Sequence, residues 1–105
     1  MAEYAEAMTD QPATLRTVHV LISGQVQGVW YRGWARETAR TLKLDGWVRN
    51  RANGTVEVVF SGSPKSVAEM LRQCAQGPPH AHVTDVRIIE EGGSVPSGFE
   101  VKYSA

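Results

Sequence analysis

The sequence predicts an α+β sandwich, an antiparallel sheet with two helices on one face, because its 105 residues switch between two hydrophobic periods in a fixed order. Val18, Val20 and Ile22 alternate as a half-buried strand does, whereas Trp34, Ala35, Thr38, Ala39 and Leu42 recur at helical spacing. A second strand-rich stretch, a second helical stretch and a last pair of strands follow. No internal repeat interrupts the pattern.

The alternating residues put the first strand at 17–23, and the helical spacing puts the first helix at 31–42. Strands at 45–51 and 55–61 flank Asn53-Gly54, a hairpin signal because both residues tolerate the positive φ such turns use. Ser63-Pro64 supplies an N-cap followed by proline at the first helical position, so the second helix runs over 64–75. Gly77-Pro78-Pro79 cannot continue it. Strands at 81–90 and 98–103 complete a βαββαβ order with a short terminal strand. That order gives a ferredoxin-like sandwich whose first and third strands lie centrally.

The length supports one domain with one core, expected over 16–105. Residues 1–15 carry three acidic groups, no base and no periodicity, which reads as a mobile tail. Eleven basic residues balance eleven acidic ones, arguing against a nucleic-acid or polyanion binder. The balance is uneven along the chain: Arg16 to Arg51 holds seven basic residues against two acidic. The lone cysteine, Cys74, shares an apolar helix face with Val67, Met70 and Leu71, so it reads as core filling in a reducing compartment. No apolar run is long enough to span a membrane, and Met1 to Gln11 lacks the basic and apolar zones of a signal peptide. The expectation is a cytoplasmic protein.

The chemistry concentrates in Ser23-Gly24-Gln25-Val26-Gln27-Gly28-Val29-Trp30-Tyr31-Arg32, where two glycines four apart precede a helix. A helix start offers unpaired N–H groups and the positive end of the peptide dipoles, so a loop bent over it makes an anion cradle. Arg32 adds a planar fork of donors matched to phosphate oxygens. The spacing alone equally fits a tight turn that needs two positive φ values. Neither a Walker loop nor a dinucleotide fingerprint is present, since no Lys-Ser or Lys-Thr and no third glycine follows.

Set beside Gly46-Trp47-Val48-Arg49-Asn50, this loop resembles the paired signatures of the acylphosphatase family. Gly24 to Arg32 fits the family's first motif, which reads glycine, any residue, Val-Gln-Gly-Val, any residue, an aromatic, arginine. Gly46 to Asn50 fits the second, and the resemblance runs over residues 16 to 103. It implies hydrolysis of a carboxyl-phosphate anhydride to a carboxylate and inorganic phosphate, with Arg32 binding the phosphoryl group and Asn50 positioning the attacking water. Gly24, Gln25, Val26, Gln27, Gly28 and Val29 would form the phosphate-binding loop with Arg32. The substrate expected is a small-molecule acyl phosphate, with inorganic phosphate or sulfate competing, no cofactor or metal, no nucleic acid or membrane partner, and a monomeric enzyme. Without the resemblance, Asn50 would read as a residue of the coming turn.

A carboxyl phosphate suits so spare a site. Its leaving group has a conjugate acid of pKa about 4 and departs unprotonated. Positioning and charge stabilisation of the phosphoryl oxygens then suffice. The motifs hold no nucleophile-and-base set beyond Ser23 on the strand side of the loop, and no carboxylate for magnesium. Direct in-line attack by water is expected. Gln27 either shapes the loop or faces solvent, Trp30 stands where it would border an acyl group, Trp34 belongs to the core, and His19 is a strand residue. His80-Ala81-His82 lacks the neighbours of a metal site. An RNA-recognition module shares the element order, but Thr55-Val56-Glu57-Val58-Val59-Phe60 carries one aromatic and an acid where stacking aromatics belong. A non-catalytic phosphate- or ligand-binding ferredoxin-like domain is the remaining alternative, and would bind phosphate without turnover.

Overall fold

The computed structural model describes residues 14–103. Most of the segment read as a tail, residues 1–13, lies outside the described residues, as do 104–105. The elements are β1 (Arg16–Gln25), α1 (Tyr31–Thr41), β2 (Asp45–Asn50), β3 (Val56–Gly62), α2 (Pro64–Cys74), β4 (His82–Glu91) and β5 (Phe99–Val101). They form one five-stranded sheet of order β4-β1-β3-β2-β5, with β1 and β3 central as expected. The first four strands pair antiparallel. The terminal strand departs from that pattern, because β5 adds in parallel to β2, with Gly46, Trp47 and Val48 opposite Phe99, Glu100 and Val101.

Period-two alternation decides which face is buried. Val18, Val20 and Ile22 of β1 stand opposite Phe60, Val58 and Val56 of β3, and Val58 in turn stands opposite Val48 of β2. All seven are fully buried, with Ala35 and Ala39 of α1 and Val67, Met70 and Cys74 of α2 packed against them. A one-residue slip would send this set to the other face, so the apolar pattern itself locks the register. Trp34 packs on the same core, as its helical position suggested. Tyr31 is fully buried too, and its hydroxyl donates to the Cys74 carbonyl oxygen at 2.7 Å, joining the start of α1 to the end of α2.

The helix boundaries follow local chemistry. Ser63 caps α2, its Oγ accepting from Ser66 N–H at 3.1 Å, with Pro64 at the first helical position. α1 closes differently: Lys43 takes φ 60°, and Leu44 N–H reaches the Ala39 carbonyl at 2.9 Å, so a non-glycine residue occupies the left-handed closing position. The β2–β3 hairpin also differs from expectation in detail. Gly54 has a positive φ but Asn53 does not. Gly54 N–H donates to Arg51 O at 3.1 Å, while Asn53 works through its side chain, Oδ1 accepting from Thr55 N–H and Thr55 Oγ1.

β5 is short but well anchored. Gly98 N–H donates to Asp45 Oδ1 and Lys102 N–H to Val48 O, each at 2.8 Å, and Arg40 of α1 donates to Phe99 O at 3.2 Å. Phe99 is buried as a result, and Val101 is carried to the end of the sheet where β1 runs into α1.

Candidate functional site

The turn from β1 into α1 is built so that its backbone donors stay free. Trp30 caps α1 in the left-handed conformation, φ 67° and ψ 24°, without a side-chain cap. Its carbonyl accepts the first helical bond, from Trp34 N–H at 3.0 Å. Among the described residues, no carbonyl or side chain accepts from the N–H groups of Gln27 to Gly33. These amides comprise the four that any helix start leaves over and a loop's worth besides. Gly28 supports the bend at φ 75°, with nothing near the position a Cβ would take.

The loop is fixed by a tether. Gln27 Nε2 donates to the carbonyls of Arg51 and Thr55, at 2.8 and 2.9 Å, clamping the loop to the β2–β3 hairpin. Of the two readings the sequence left open for Gln27, loop shaping is the one observed. Val26 inserts into the core and pins the other side.

Beneath the loop lies a cavity of about 310 Å³ lined by Gly28, Trp30, Arg32, Arg36, Asn50 and Val101, with Val26, Tyr31 and Gly33 behind them. Arg32 and Asn50, the two residues expected to carry the chemistry, therefore meet in one cavity although they come from different elements. Asn50 Oδ1 is shielded from solvent and has no hydrogen-bond partner among the described residues. A buried acceptor left this way costs about 1–3 kcal/mol, a cost that an occupant donating to it would offset. No described residue pairs with the Arg32 guanidinium, which also borders a second cavity of about 760 Å³ with Arg49, Val101, Lys102 and Tyr103. Trp30 is 59% exposed, and a Cβ on Gly33 would overlap its indole, so the ring lies against the helix at the rim of the cavity.

Two of the residues expected in the loop are placed elsewhere. Gly24 and Gln25 belong to β1, opposite Val83 and His82 of β4. Gly24 has φ 120°, and a Cβ there would overlap the His82 carbonyl oxygen and lie 2.8 Å from Thr84 N. In the structure it admits the neighbouring strand. The expectation also missed Arg36 and Val101. Arg36 was legible in principle, since it stands four residues from Arg32 on the same helix face. Val101 was not, because its place depends on the parallel pairing of β5.

The opposite sheet face carries a second polar cluster next to the site. Glu57, 2% exposed, accepts from Arg49 Nε at 2.6 Å, lies 2.5 Å from His19 Nε2, and has Arg51 Nη1 at 3.4 Å. Burial pushes its carboxyl upward, but the hydrogen bonds of Arg49 and His19 outweigh that and hold it below the ordinary carboxylate range. Trp47 sits under both Arg49 and Lys102, its ring centroid 5.2 and 4.8 Å from their charged groups. Glu57 thus braces the two arginines that flank Asn50 along the chain. Burial pushes the Cys74 thiol up to about 12. Among the described residues no group of three His, Cys, Asp or Glu side chains gathers as a metal site, and His80 and His82 are both exposed. No helix of the described residues is long and apolar enough to cross a membrane.

Comparison with known proteins identifies the family. A family model described as Acylphosphatase matches residues 18–101. The acylphosphatase of Rhodospirillum rubrum is 52% identical over 90 residues, covering 86% of this chain and 99% of that protein. That of Rubrobacter xylanophilus is 47% identical over 98 residues, covering 92% and 88%. The solved acylphosphatase of Coxiella burnetii superposes with a TM-score of 0.80 at 38% identity, over 84% of this chain and 93% of its own. With the profile, the relatives and the fold in accord, the chain belongs to the acylphosphatase family and is an acylphosphatase enzyme.

Proposed function

We propose that the chain hydrolyses the carboxyl-phosphate bond of small acyl phosphates by direct, metal-independent attack of water. The phosphoryl oxygens are taken by the amides of Gln27 to Val29 and by the Arg32 guanidinium, while Asn50 orients the water. One observation carries this reading: Asn50, whose Oδ1 is left without a hydrogen-bond partner among the described residues, lines the same cavity as Arg32 and Gly28.

In this scheme a water donates one hydrogen to Asn50 Oδ1, which leaves a lone pair directed at phosphorus. The P–O bond to water forms as the bond from phosphorus to the bridging acyl oxygen breaks. The electron pair departs on the carboxylate, and the surplus water proton passes to solvent or to the phosphate. The oxygens carrying charge face amides and a guanidinium that need no reorganisation, which is where such sites gain most of their rate. The carboxylate needs no proton to leave, in keeping with a cavity lining that contains no acid.

Gln25 and Gly24 take no part in gripping the phosphate in this reading; they hold the strand from which the loop springs. Inorganic phosphate and sulfate compete for the same amides, no cofactor enters, and the enzyme acts as a monomer. We place it in the cytoplasm, a reading supported by the lone cysteine, Cys74, standing buried as a free thiol.

The test is turnover of benzoyl phosphate, followed by loss of the anhydride, with and without a chelator. Metal-independent hydrolysis, inhibited competitively by phosphate, is expected. A strict metal requirement would overturn the mechanism, and phosphate binding without turnover would leave only a binding domain.

A further inference from the structure

The cavity contains a second guanidinium that the scheme above does not use. Arg36 lines it together with Arg32, and the two stand four residues apart on α1, so they share a helix face about 6 Å apart along the axis. Side chains on a helix lean toward its N-terminus, so a long one at Arg36 extends toward the turn where the free amides lie. Its Nε is shielded from solvent and has no hydrogen-bond partner among the described residues. None of its nitrogens makes a described hydrogen bond or ion pair, in contrast to Arg16, Arg40, Arg49, Arg51 and Arg72, which all do.

An arginine held this way contributes little to the empty fold. A guanidinium cannot shed its charge to escape a solvent-poor position, and a shielded N–H without an acceptor is a net cost. Nor does an acid in the cavity wall balance it, for the wall has two guanidinium groups and no carboxylate. Two positive charges facing one cavity match a dianion better than a monoanion.

We propose that Arg36 is a second phosphate-binding residue, gripping the same phosphoryl group as Arg32 and making the site selective for the dianionic form. The inference rests on the reading of this cavity as the phosphoryl site. It assigns Arg36 to the phosphoryl group rather than to the acyl group, which distinguishes it from a residue that sorts acyl substituents.

The experiment measures the affinity of inorganic phosphate by calorimetry across pH 5 to 8, for the full chain and for Arg36→Gln and Arg36→Lys. Loss of a charge-assisted contact should weaken phosphate binding about 10- to 100-fold in Arg36→Gln. The rise in affinity as phosphate becomes dianionic should flatten in that variant, a signature that a purely structural arginine would not give. Arg36→Lys should recover part of the affinity and the pH dependence, because it restores the charge but not the fork. KM for benzoyl phosphate and for acetyl phosphate should rise by the same factor, since both carry the same phosphoryl group.

The thermal stability of the free Arg36→Gln protein should be no lower than that of the parent, which keeps the comparison interpretable. Phosphate affinity within twofold of the parent in both variants would overturn the inference. So would a loss confined to one acyl phosphate, which would put Arg36 on the acyl side. If the parent chain hydrolyses benzoyl phosphate while Arg36→Gln binds phosphate normally, only this inference falls. A parent chain without turnover would instead remove the functional reading beneath it.

Discussion

Replacing Gly24 and Gly28 separately by alanine tests how the two motif glycines divide their work, since the sequence treats them alike and the structure does not. At Gly24, alanine meets two penalties. A φ of 120° is a backbone region that L side chains rarely adopt, costing about 1–3 kcal/mol. The new methyl would also overlap the His82 carbonyl oxygen, and because that neighbour is strand backbone it can yield only by opening the β1–β4 pairing, costing a further ~1–3 kcal/mol. Gly24→Ala should therefore lose about 4 kcal/mol, a large share of the ~5–15 kcal/mol that holds such a domain together. At Gly28 the methyl meets nothing, so only the left-handed φ of 75° counts, at about 1–2 kcal/mol. Urea unfolding of both variants, followed by benzoyl phosphate turnover normalised to folded protein, reads the difference. Gly24→Ala should be much the less stable yet keep turnover per folded molecule within a few-fold. Gly28→Ala should lose at least about 10-fold in turnover, since a displaced oxyanion donor costs up to about 100- to 1,000-fold. In melting temperature the gap is on the order of 10 °C, at about 4–8 °C per kcal/mol for a domain of this size. Equal stability of the two variants, or an equal loss of turnover per folded molecule, would refute the division.

Other substitutions probe the remaining parts. Arg32→Lys should lose turnover by about 100-fold or more in a steady-state assay, because one ammonium cannot reproduce the guanidinium fork; near-normal turnover would exclude Arg32 from the phosphoryl site. Asn50→Ala should lower kcat far more than it weakens phosphate affinity, whereas equal losses in both would make Asn50 a binding residue. Glu57→Gln should destabilise by about 3 kcal/mol, because Arg49 and Arg51 lose the carboxylate that gathers them and His19 loses its partner oxygen. The sign with pH follows from its depressed carboxyl: the folded state holds the charged form more tightly than the unfolded state, so this stability is present above the ordinary carboxylate range. It is lost as pH falls through that range and below. A urea midpoint that falls less steeply with acid in Glu57→Gln than in the parent is the expected result.

Much of this molecule was legible before its structure. Alternation in β1 and β3 and helical spacing in α1 and α2 are local properties, and local spacing fixes which side chains share a face. Ser63-Pro64 marked the start of α2 because a cap and a fixed φ act within one turn. Arg32 followed from its place beside a helix start, whereas a role for Asn50 came only from the family resemblance, since spacing gave it a turn. The sequence could not say that Gly24 admits a neighbouring strand, because the contact that requires it comes from His82, far along the chain.

What the sequence by itself determined was the order of elements, the buried face of each and the family to which the motifs belong, all of which depend on residues close together in the chain. Only the tertiary structure decided that β5 joins β2 in parallel, that Gln27 clamps the loop to the hairpin, and that Arg36 and Val101 share a cavity with Arg32 and Asn50. Those facts join segments tens of residues apart. They are set by how the sheet packs against α1, and no local periodicity encodes that distance.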